Sequence, residues 1–229
     1  PEVVFFTFGK STKYSLTAEL HKIGITVHFI PIHSTEHSII ELIKIFNRVR
    51  PDIFIPNVAI PAYFAGKWAR SAGIRTVGIL RSDDTFHHEI GDSFVWGSSE
   101  WRVDGLVCVS AFLAEHAMDK SRGKVLVMDC PSGAPVPAET AQEPGNNLRL
   151  VYCGRFVQEQ KRILDVVDSI TQVLSQAENV SATLYGGGQL ENDVRQRVEA
   201  SGFSDRFILG GMVHPQKLQA KIVEDHVCY

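Results

Sequence analysis

The stretch "LVYCGRFVQEQKRILDVVDSI", residues 150–170, has the pattern of a buried strand, a polar turn and an amphipathic helix. Arg155, Lys161 and Arg162 crowd the turn where this helix is expected to begin. Cations are mildly unfavourable there, because a helix start carries partial positive charge and unpaired N–H groups. A bound anion would resolve this conflict, and the strand–turn–helix pattern indicates an α/β fold.

The composition is that of an ordinary globular chain. Its 229 residues suffice for one large or two medium domains, 44% of them are hydrophobic, and the net charge is -3. No basic excess suggests nucleic acid as a partner. The four cysteines are scattered singly, which favours reduced thiols in a cytoplasmic protein over a disulfide framework. No metal is expected, because none of the nine histidines form a pair with the spacing of metal ligands beside a carboxylate and a cysteine cluster.

Residues 1–130 are predicted to form an N-terminal, Rossmann-like domain. Apolar runs typical of strands alternate with stretches of helical period throughout this range. The predicted strands are 3–8, 25–32, 51–56, 75–80, 104–110 and 124–128, and the predicted helices are 13–24, 39–49, 62–74 and 111–120. Such alternation predicts parallel strands with right-handed crossovers in a doubly wound sheet.

A change of composition marks a linker and a second domain. Residues 131–147 are rich in proline and glycine and have no hydrophobic period. Within 148–229 the alternation resumes, with strands predicted at 148–153, 181–185, 206–209 and 226–229 and helices at 158–177, 189–201 and 215–223. Two doubly wound domains of this kind are expected to face a cleft and to bind ligands at the carboxyl ends of their strands.

The strand 148–153 delivers Gly154 and Arg155 to the ligand-binding edge of its sheet. Glycine allows a ligand or another backbone to approach closely. A forked guanidinium and the ammonium of Lys161 beside a helix start would together suit a diphosphate. The alternative is that Arg155 pairs with Glu159 or Asp165 and that Lys161 is merely solvated.

Two further glycine turns follow in the second domain. Gly186, Gly187 and Gly188 connect a strand to a helix, and a later strand ends in Gly210-Gly211, with Pro215 near the start of the next helix. In that second turn, the candidate ligand-binding residues are Gly211, Met212, Val213 and His214. Each turn alone is weak evidence, and the triple glycine fails as a dinucleotide fingerprint because Glu191 stands where glycine is required.

Taken together, in this order and spacing, these motifs resemble the donor-binding domain of retaining, GT-B-fold glycosyltransferases of the group 1 (family 4-like) class. In that family a strand ends in Gly-Arg, a lysine follows six residues after the arginine, and two glycine turns come next. The resemblance implies that Arg155 and Lys161 hold the donor diphosphate and stabilise the departing nucleoside diphosphate. It also implies that the turns at 186–188 and 210–214 line the nucleotide pocket. It is strong over 148–229 and rests on pattern alone in the first domain.

The implied function is transfer of a sugar from a nucleotide-diphosphate donor to an acceptor hydroxyl, on a sugar or glycolipid, with retention of configuration. No cofactor is implied. Two alternatives remain open: a sugar-nucleotide epimerase of the same architecture, and a non-catalytic protein that binds a sugar or nucleotide.

The sequence departs from the family pattern at both ends. The family's acidic motif would lie beyond Tyr229, and its Gly-Gly loop after the first strand has no counterpart in "FTFGKSTKYS". Counting strands back from "RPDIFI" indicates that the first strand unit of the fold is absent. We therefore expect a fragment, truncated at both ends and inactive by itself.

The loop 81–97 is the chemically rich part of the first domain. Asp83, Asp84, His87 and His88 could bind acceptor hydroxyls or shuttle a proton there. The alternative is a capped and solvated loop, in which Ser82 or Asp83 is the N-cap of a short helix.

Overall fold

The computed structural model describes residues 2–9, 16–130, 146–223 and 227–228. The chain divides into two compact units, Pro1–Ala134 and Pro135–Tyr229. Every paired strand is parallel to its neighbour, so the predicted α/β class with parallel sheets is confirmed. Most of the predicted linker, 131–145, lies outside the described residues.

The strands of the first unit form two parallel sheets. One contains β1 (Val4–Phe8) and β2 (Thr26–Ile30); the other contains β3 (Ile53–Asn57), β4 (Arg75–Leu80), β5 (Gly105–Cys108) and β6 (Leu126–Asp129), in that spatial order. The helices are α1 (Thr17–Lys22), α2 (Thr35–Val49), α3 (Ile60–Ser71), α4 (Thr85–Phe94) and α5 (Ala111–Ser121).

Side-chain caps fix the starts of three of these helices. Ser34, Asp84 and Ser110 each accept a hydrogen bond from the backbone N–H three residues further on. One apolar cluster joins α2 and α3 to Phe54 and its neighbours, and a second lies around Leu106, under α4 and α5. The side-chain hydrogen bond of Asp84 makes this residue the cap of α4, in place of the predicted Ser82 or Asp83. The helix that it caps, Thr85–Phe94, is longer than the short helix expected.

The second unit is one four-stranded parallel sheet. Its strands are β7 (Leu148–Arg155), β8 (Val180–Gly187), β9 (Phe207–Gly211) and β10 (Val227–Cys228), in the order β10-β7-β8-β9. The helices are α6 (Gln158–Lys161), α7 (Ile163–Gln176), α8 (Glu191–Ala200) and α9 (Pro215–Val223), with a short 3-10 turn at Ser204–Arg206. One core cluster unites them, and Ile163, Val167 and Leu174 form the buried stripe of α7.

The single helix predicted over 158–177 is wrong, because the chain breaks at Arg162. This residue has a left-handed backbone, with φ 48°. The side-chain amide of Gln158 explains the break: its oxygen accepts from the N–H of Leu164 at 3.2 Å, and its nitrogen donates to Asp165 at 3.0 Å. Gln158 thus caps the first turn of α7 although it lies outside that helix. In a continuous helix over 158–177 its side chain would not be placed to make this contact.

Candidate functional site

The ends of β7 and β8 lie side by side at the carboxyl edge of the second unit's sheet. Gly154 is the register partner of Gly186, and Arg155 is the partner of Gly187. The pairing continues past the strands, since the N–H of Phe156 donates to the carbonyl of Gly187 at 2.9 Å. The Gly154-Arg155 motif and the glycine turn that begins at Gly186 are far apart in the sequence but lie in direct contact in the structure.

The glycines at this edge are required by the protein's own packing. A Cβ at position 186 would stand 1.9 Å from the carbonyl oxygen of Gly154, and one at 154 would stand 2.6 Å from the hydroxyl of Tyr152. At position 188 the obstacle is the carbonyl oxygen of Phe156, at 2.9 Å. Gly186 and Gly188 therefore allow a close approach to the neighbouring segment of chain, whereas Gly154 leaves room for Tyr152 of its own strand.

The third motif reaches the same edge through β9. Gly211 is the register partner of Tyr185 in β8, after an irregularity in the pairing. The side chain of Met212 lies beside the second turn, with its Cγ 3.3 Å from where a Cβ of Gly187 would stand. Val213 follows, half-buried. The structure thus brings together all three motifs singled out in the sequence.

His214 is the last residue of this candidate pocket and is half-buried. Its carbonyl accepts from the N–H groups of Lys217 and Leu218, at 2.9 and 3.1 Å, so it joins the third turn to α9. Glu191, which sequence reasoning used only to reject a dinucleotide fingerprint, also lies here. Its carboxylate oxygen is 3.3 Å from the Cβ position of Gly187, so the edge carries a hydrogen-bond acceptor as well as cations.

Arg155 has an exposed side chain on an anchored backbone. The buried Tyr152 donates its hydroxyl to the carbonyl of Arg155 at 3.1 Å, and burial raises the pKa of that tyrosine. The guanidinium itself donates to the side-chain oxygen of Gln160. Neither Tyr152 nor Gln160 was singled out in the sequence, and no motif there marks them.

Asp165, one of the partners considered for Arg155, is held by another cation. The Nε of Arg162 lies 2.6 Å from its carboxylate, and this hydrogen bond lowers the pKa of Asp165 below its usual range. The pairing considered between Arg155 and an acidic neighbour is therefore replaced by Arg155 with Gln160 and Arg162 with Asp165.

Lys161 ends α6, directly before the break at Arg162. Its side chain is exposed, and within the described ranges its ammonium has no hydrogen-bond acceptor or acidic partner. The α7 start beside it is closed by Gln158, so that helix offers an anion fewer free N–H groups than the sequence suggested. The sheet edge thus carries the guanidinium of Arg155, held by a neutral amide, and two glycine turns, and Lys161 ends the short helix that follows Arg155.

The four acceptor-side candidates gather at the start of α4 in the first unit. The carboxylate of Asp84 accepts from both the backbone N–H and the Nδ1 of His87, at 2.9 and 2.8 Å. His87 is buried, and its Nε2 has no partner among the described residues. Asp83 and His88 form a second pair at 2.8 Å whose side chains are half exposed. The start of this helix is therefore capped, although by Asp84 and not by the predicted Ser82 or Asp83, and this capping accounts for the buried pair.

Two features are absent from the described residues. No helix in the described ranges is long and apolar enough to cross a lipid bilayer. Nor do the described residues contain a group of three or more His, Cys, Asp or Glu side chains arranged to hold a metal ion.

Comparison with known proteins identifies the fold. No protein-family model and no curated protein matches the sequence. The chain is similar to the apo form of the lipopolysaccharide outer core galactosyltransferase WaaB, with a TM-score of 0.61 and 14% identity over 98% of this chain and 72% of that one. It is also similar to S. aureus MnaA in a co-structure with UDP, with a TM-score of 0.58 and 11% identity over 99% and 73% of the two chains.

A third solved structure is a putative UDP-N-acetylglucosamine 2-epimerase from Listeria monocytogenes, with a TM-score of 0.56 and 10% identity over 100% of this chain and 74% of that one. At such identities the likeness establishes the fold alone. The GT-B-like α/β fold predicted from the sequence is therefore confirmed, with Rossmann-like units.

Proposed function

We propose that this chain is part of a group 1, retaining glycosyltransferase, which moves a sugar from a nucleoside-diphosphate donor to an acceptor hydroxyl. The observation that carries the proposal is the placement of Arg155 beside Gly187 at the ends of β7 and β8. In the proposal, Lys161, exposed at the end of α6, supplies the second positive charge. The likeness to a galactosyltransferase and to a protein that binds UDP supports the same class of ligand.

In this proposal the carboxyl edge of the sheet stabilises the nucleoside diphosphate, which is the leaving group of the reaction. As the bond between the sugar C1 and the diphosphate oxygen breaks, its electron pair stays on the diphosphate. The acceptor oxygen bonds to C1, and its proton passes to the released diphosphate. In this proposal Arg155 and Lys161 supply the positive charge that meets the developing negative charge. A phosphate oxygen is a stronger acceptor than a neutral amide, so the donor displaces Gln160 from the guanidinium.

The turns beside the cations form the nucleotide pocket in this proposal. Gly187 sits in the floor, because it is buried and Met212 lies against it. Val213 and His214 continue the wall toward α9. Gly154, Gly186 and Gly188 hold the two strand ends close enough for this geometry.

On the first unit, the exposed pair of Asp83 and His88 is the better candidate for contact with acceptor hydroxyls. Both side chains reach solvent, whereas Asp84 and His87 bond each other at the buried start of α4. We assign the buried pair to positioning α4 and the exposed pair to the acceptor, a sugar or glycolipid.

Binding measurements test the donor site without knowledge of the acceptor. Calorimetry compares UDP, GDP and ADP with their nucleosides, so that the contribution of the diphosphate is isolated. For the nucleotide that binds, Arg155→Ala and Lys161→Ala should each weaken affinity by roughly 10- to 100-fold, since a charge-assisted hydrogen bond contributes about 1.5–3 kcal/mol. Arg155→Lys should recover only part of the loss, because an ammonium cannot make the bidentate contact.

Arg162→Ala is the matched control. Arg162 adjoins Lys161 but pairs with Asp165, so its loss should change nucleotide affinity less than about twofold. All three side chains are exposed, and the melting temperature should change little in any of these variants. Equal effects of the three alanine substitutions on affinity, or equal binding of nucleoside and nucleotide, would contradict a diphosphate site at this edge.

An epimerase acting on a nucleotide sugar is the second candidate, favoured by the likeness to the Listeria protein. It requires the same diphosphate clamp, so the binding experiment does not separate the two. Incubation of the nucleotide sugar without any acceptor does: an epimerase changes the configuration of the sugar, whereas a transferase leaves the donor intact.

A further inference from the structure

Positive charge is concentrated at the amino-terminal edge of the four-stranded sheet in the first unit. The connections that lead into β3, β4 and β6 contain seven Lys or Arg residues and two Asp residues, within 48–52, 68–75 and 119–125. We call these three connections the basic edge. The opposite edge of the same sheet carries carboxylates, with Asp83 and Asp84 after β4 and Asp129 at the end of β6. The unit is therefore electrically polarised along its strands.

Backbone hydrogen bonds join these connections into one continuous surface. The N–H of Arg75 donates to the carbonyl of Asp52 at 3.0 Å, and the N–H of Asp104 donates to the carbonyl of Thr76 at 2.9 Å. The N–H of Leu126 in turn donates to the carbonyl of Asp104 at 3.3 Å. Neighbouring strands lie about 4.8 Å apart, so the four strand starts span roughly 15 Å. The cations of the basic edge can therefore act on one ligand surface together.

The charge of the basic edge is not neutralised within the part of the chain that the structure describes. Arg50, Arg75 and Lys124 are exposed, and none of them forms an ion pair with a described residue. The carboxylate of Asp104, in the neighbouring connection before β5, is already occupied. It accepts from the N–H and the hydroxyl of Thr76, at 2.8 and 2.9 Å. The edge thus presents positive charge to solvent.

The helix dipole explains only part of this charge. The C-terminal end of a helix favours cations, which accounts for Arg48 in the last turn of α2 and Lys120 in the last turn of α5. The effect is confined to that last turn. Arg75 and Lys124 lie beyond the ends of α3 and α5, so they are not explained by the stability of those helices.

A tryptophan lies at the same edge. Trp68 is in the last turn of α3 and is 42% exposed. The ammonium of Lys67 lies 5.6 Å from the centre of its ring and 4.9 Å from that of Trp101. A nucleobase that stacks on an indole would have to compete with this ammonium for the ring face. Exposed tryptophan beside Lys and Arg is typical of surfaces that lie at the boundary between water and lipid. The edge therefore fits an anionic bilayer better than a nucleic acid.

We propose that the basic edge of the first unit docks on an anionic membrane surface, with Arg75 and Lys124 against lipid phosphates and Trp68 among the headgroups. The attraction falls off within about 10 Å of the bilayer at 0.1 M salt, so it acts on this edge and not on the far end of the strands. Polarisation of the unit sets the orientation, because the edge with Asp83 and Asp129 is repelled by the same lipids. The proposal is independent of the function assigned to the second unit.

Sedimentation with lipid vesicles tests the proposal directly. The chain should bind vesicles that contain phosphatidylglycerol and phosphatidylcholine in a one-to-two ratio, but not vesicles of phosphatidylcholine alone. An increase of the salt concentration from about 0.1 M to about 1 M should release it, because the range of the attraction shortens from about 10 to 3 Å. Arg75→Gln should weaken binding about fivefold, and the double variant with Lys124→Gln about 25-fold, since each cation near an anionic surface contributes about 1 kcal/mol. Brominated lipid should quench tryptophan fluorescence in the wild type, and Trp68→Phe should remove most of this quenching.

Arg81→Gln is the matched control, since Arg81 is an exposed arginine at the other end of the same strand, directly after β4. Its loss should change vesicle binding less than about twofold, because it lies beyond the range of the attraction. Equal effects of Arg75→Gln and Arg81→Gln, or equal binding to vesicles with and without phosphatidylglycerol, would overturn the proposal. So would undiminished quenching in Trp68→Phe. Tighter binding to a mixed-sequence DNA duplex than to the vesicles would assign the edge to nucleic acid instead.

Discussion

Arg155 shows how a single side chain can be both anchored and available. Its backbone carbonyl is held by the buried hydroxyl of Tyr152, while its guanidinium is held only by the neutral amide of Gln160. The first contact fixes where the side chain leaves the sheet edge. The second is weak enough for a charged ligand to replace it. Such a residue combines a defined direction with an exchangeable partner.

The sequence located Arg155 at this edge but not the groups that hold it. The spacing of Arg155 and Lys161 is visible along the chain, because both stand in one turn between a strand and a helix. The roles of Tyr152 and Gln160 depend on the path of the backbone after β7. From the sequence alone, Gln160 is indistinguishable from an ordinary surface residue.

Tyr63 allows a prediction on pH dependence. Burial raises the pKa of Tyr63 from its ordinary value of 10.0 to about 12, and its hydroxyl accepts from the N–H of Ile79. Above its ordinary pKa the unfolded chain releases this proton while the folded chain retains it. The free energy of unfolding should thus fall between about pH 10 and 12, by roughly 1.4 kcal/mol per pH unit from this group.

Urea unfolding from pH 8 to 12 measures that fall in the wild type and in Tyr63→Phe. The phenylalanine variant has no hydroxyl to ionise, so its stability should decline less steeply above about pH 10. The same slope in both proteins would show that Tyr63 ionises as readily in the folded state as in the unfolded state.

At the scale of elements, hydrophobic period predicted the order of strands and helices because their buried faces are continuous. The strand predicted at 75–80 matches β4, and the helix predicted at 111–120 matches α5 to within a residue. Where prediction failed, a local side-chain contact decided the outcome. Gln158 caps α7 from outside and breaks the helix at Arg162, and the carboxylate of Asp84 starts α4. Such contacts produce no hydrophobic periodicity in the sequence, so the pattern of apolar residues does not predict them.

Two glycines in neighbouring strands give a matched test of how the site edge is built. Gly186 has φ 144°, and an added Cβ would meet the carbonyl oxygen of Gly154 at 1.9 Å. Gly211 has φ 65°, and its Cβ position has nothing within 4 Å. Gly211→Ala should therefore cost only about 1 kcal/mol of backbone strain. Gly186→Ala must also push β7 and β8 apart and should cost considerably more.

Chemical denaturation of the two variants measures the difference in the free energy of unfolding. Nucleotide affinity provides a second measurement, since separation of β7 from β8 moves Arg155 away from Gly187. Gly186→Ala should therefore weaken nucleotide binding more than Gly211→Ala does. Similar stabilities would mean that the strands separate at the site edge without strain.

At the scale of the whole molecule, the chain consists of two units with separate cores. The core of the second unit contains Leu184 and Val167, and Leu42 belongs to a cluster of the first unit. The fold likeness extends over 98% of the chain at 14% identity, so most individual residues differ between two chains of similar fold. This is why the sequence predicted the fold class well and the contacts of individual site residues poorly.

The cores of the two units should be energetically independent of each other. Leu42 and Leu184 are fully buried, and either Leu→Ala substitution should cost about 2–5 kcal/mol in its own unit. Because the two residues share no cluster, the double variant should equal the sum of the single ones within about 0.5 kcal/mol. Val167→Ala combined with Leu184→Ala is the control, since both belong to one cluster and should depart from additivity. Hydrogen exchange assigns each loss to a unit: Leu42→Ala should speed exchange in α2 and leave β8 unchanged. Faster exchange in both units from one substitution would mean that the cores unfold as a single cooperative structure.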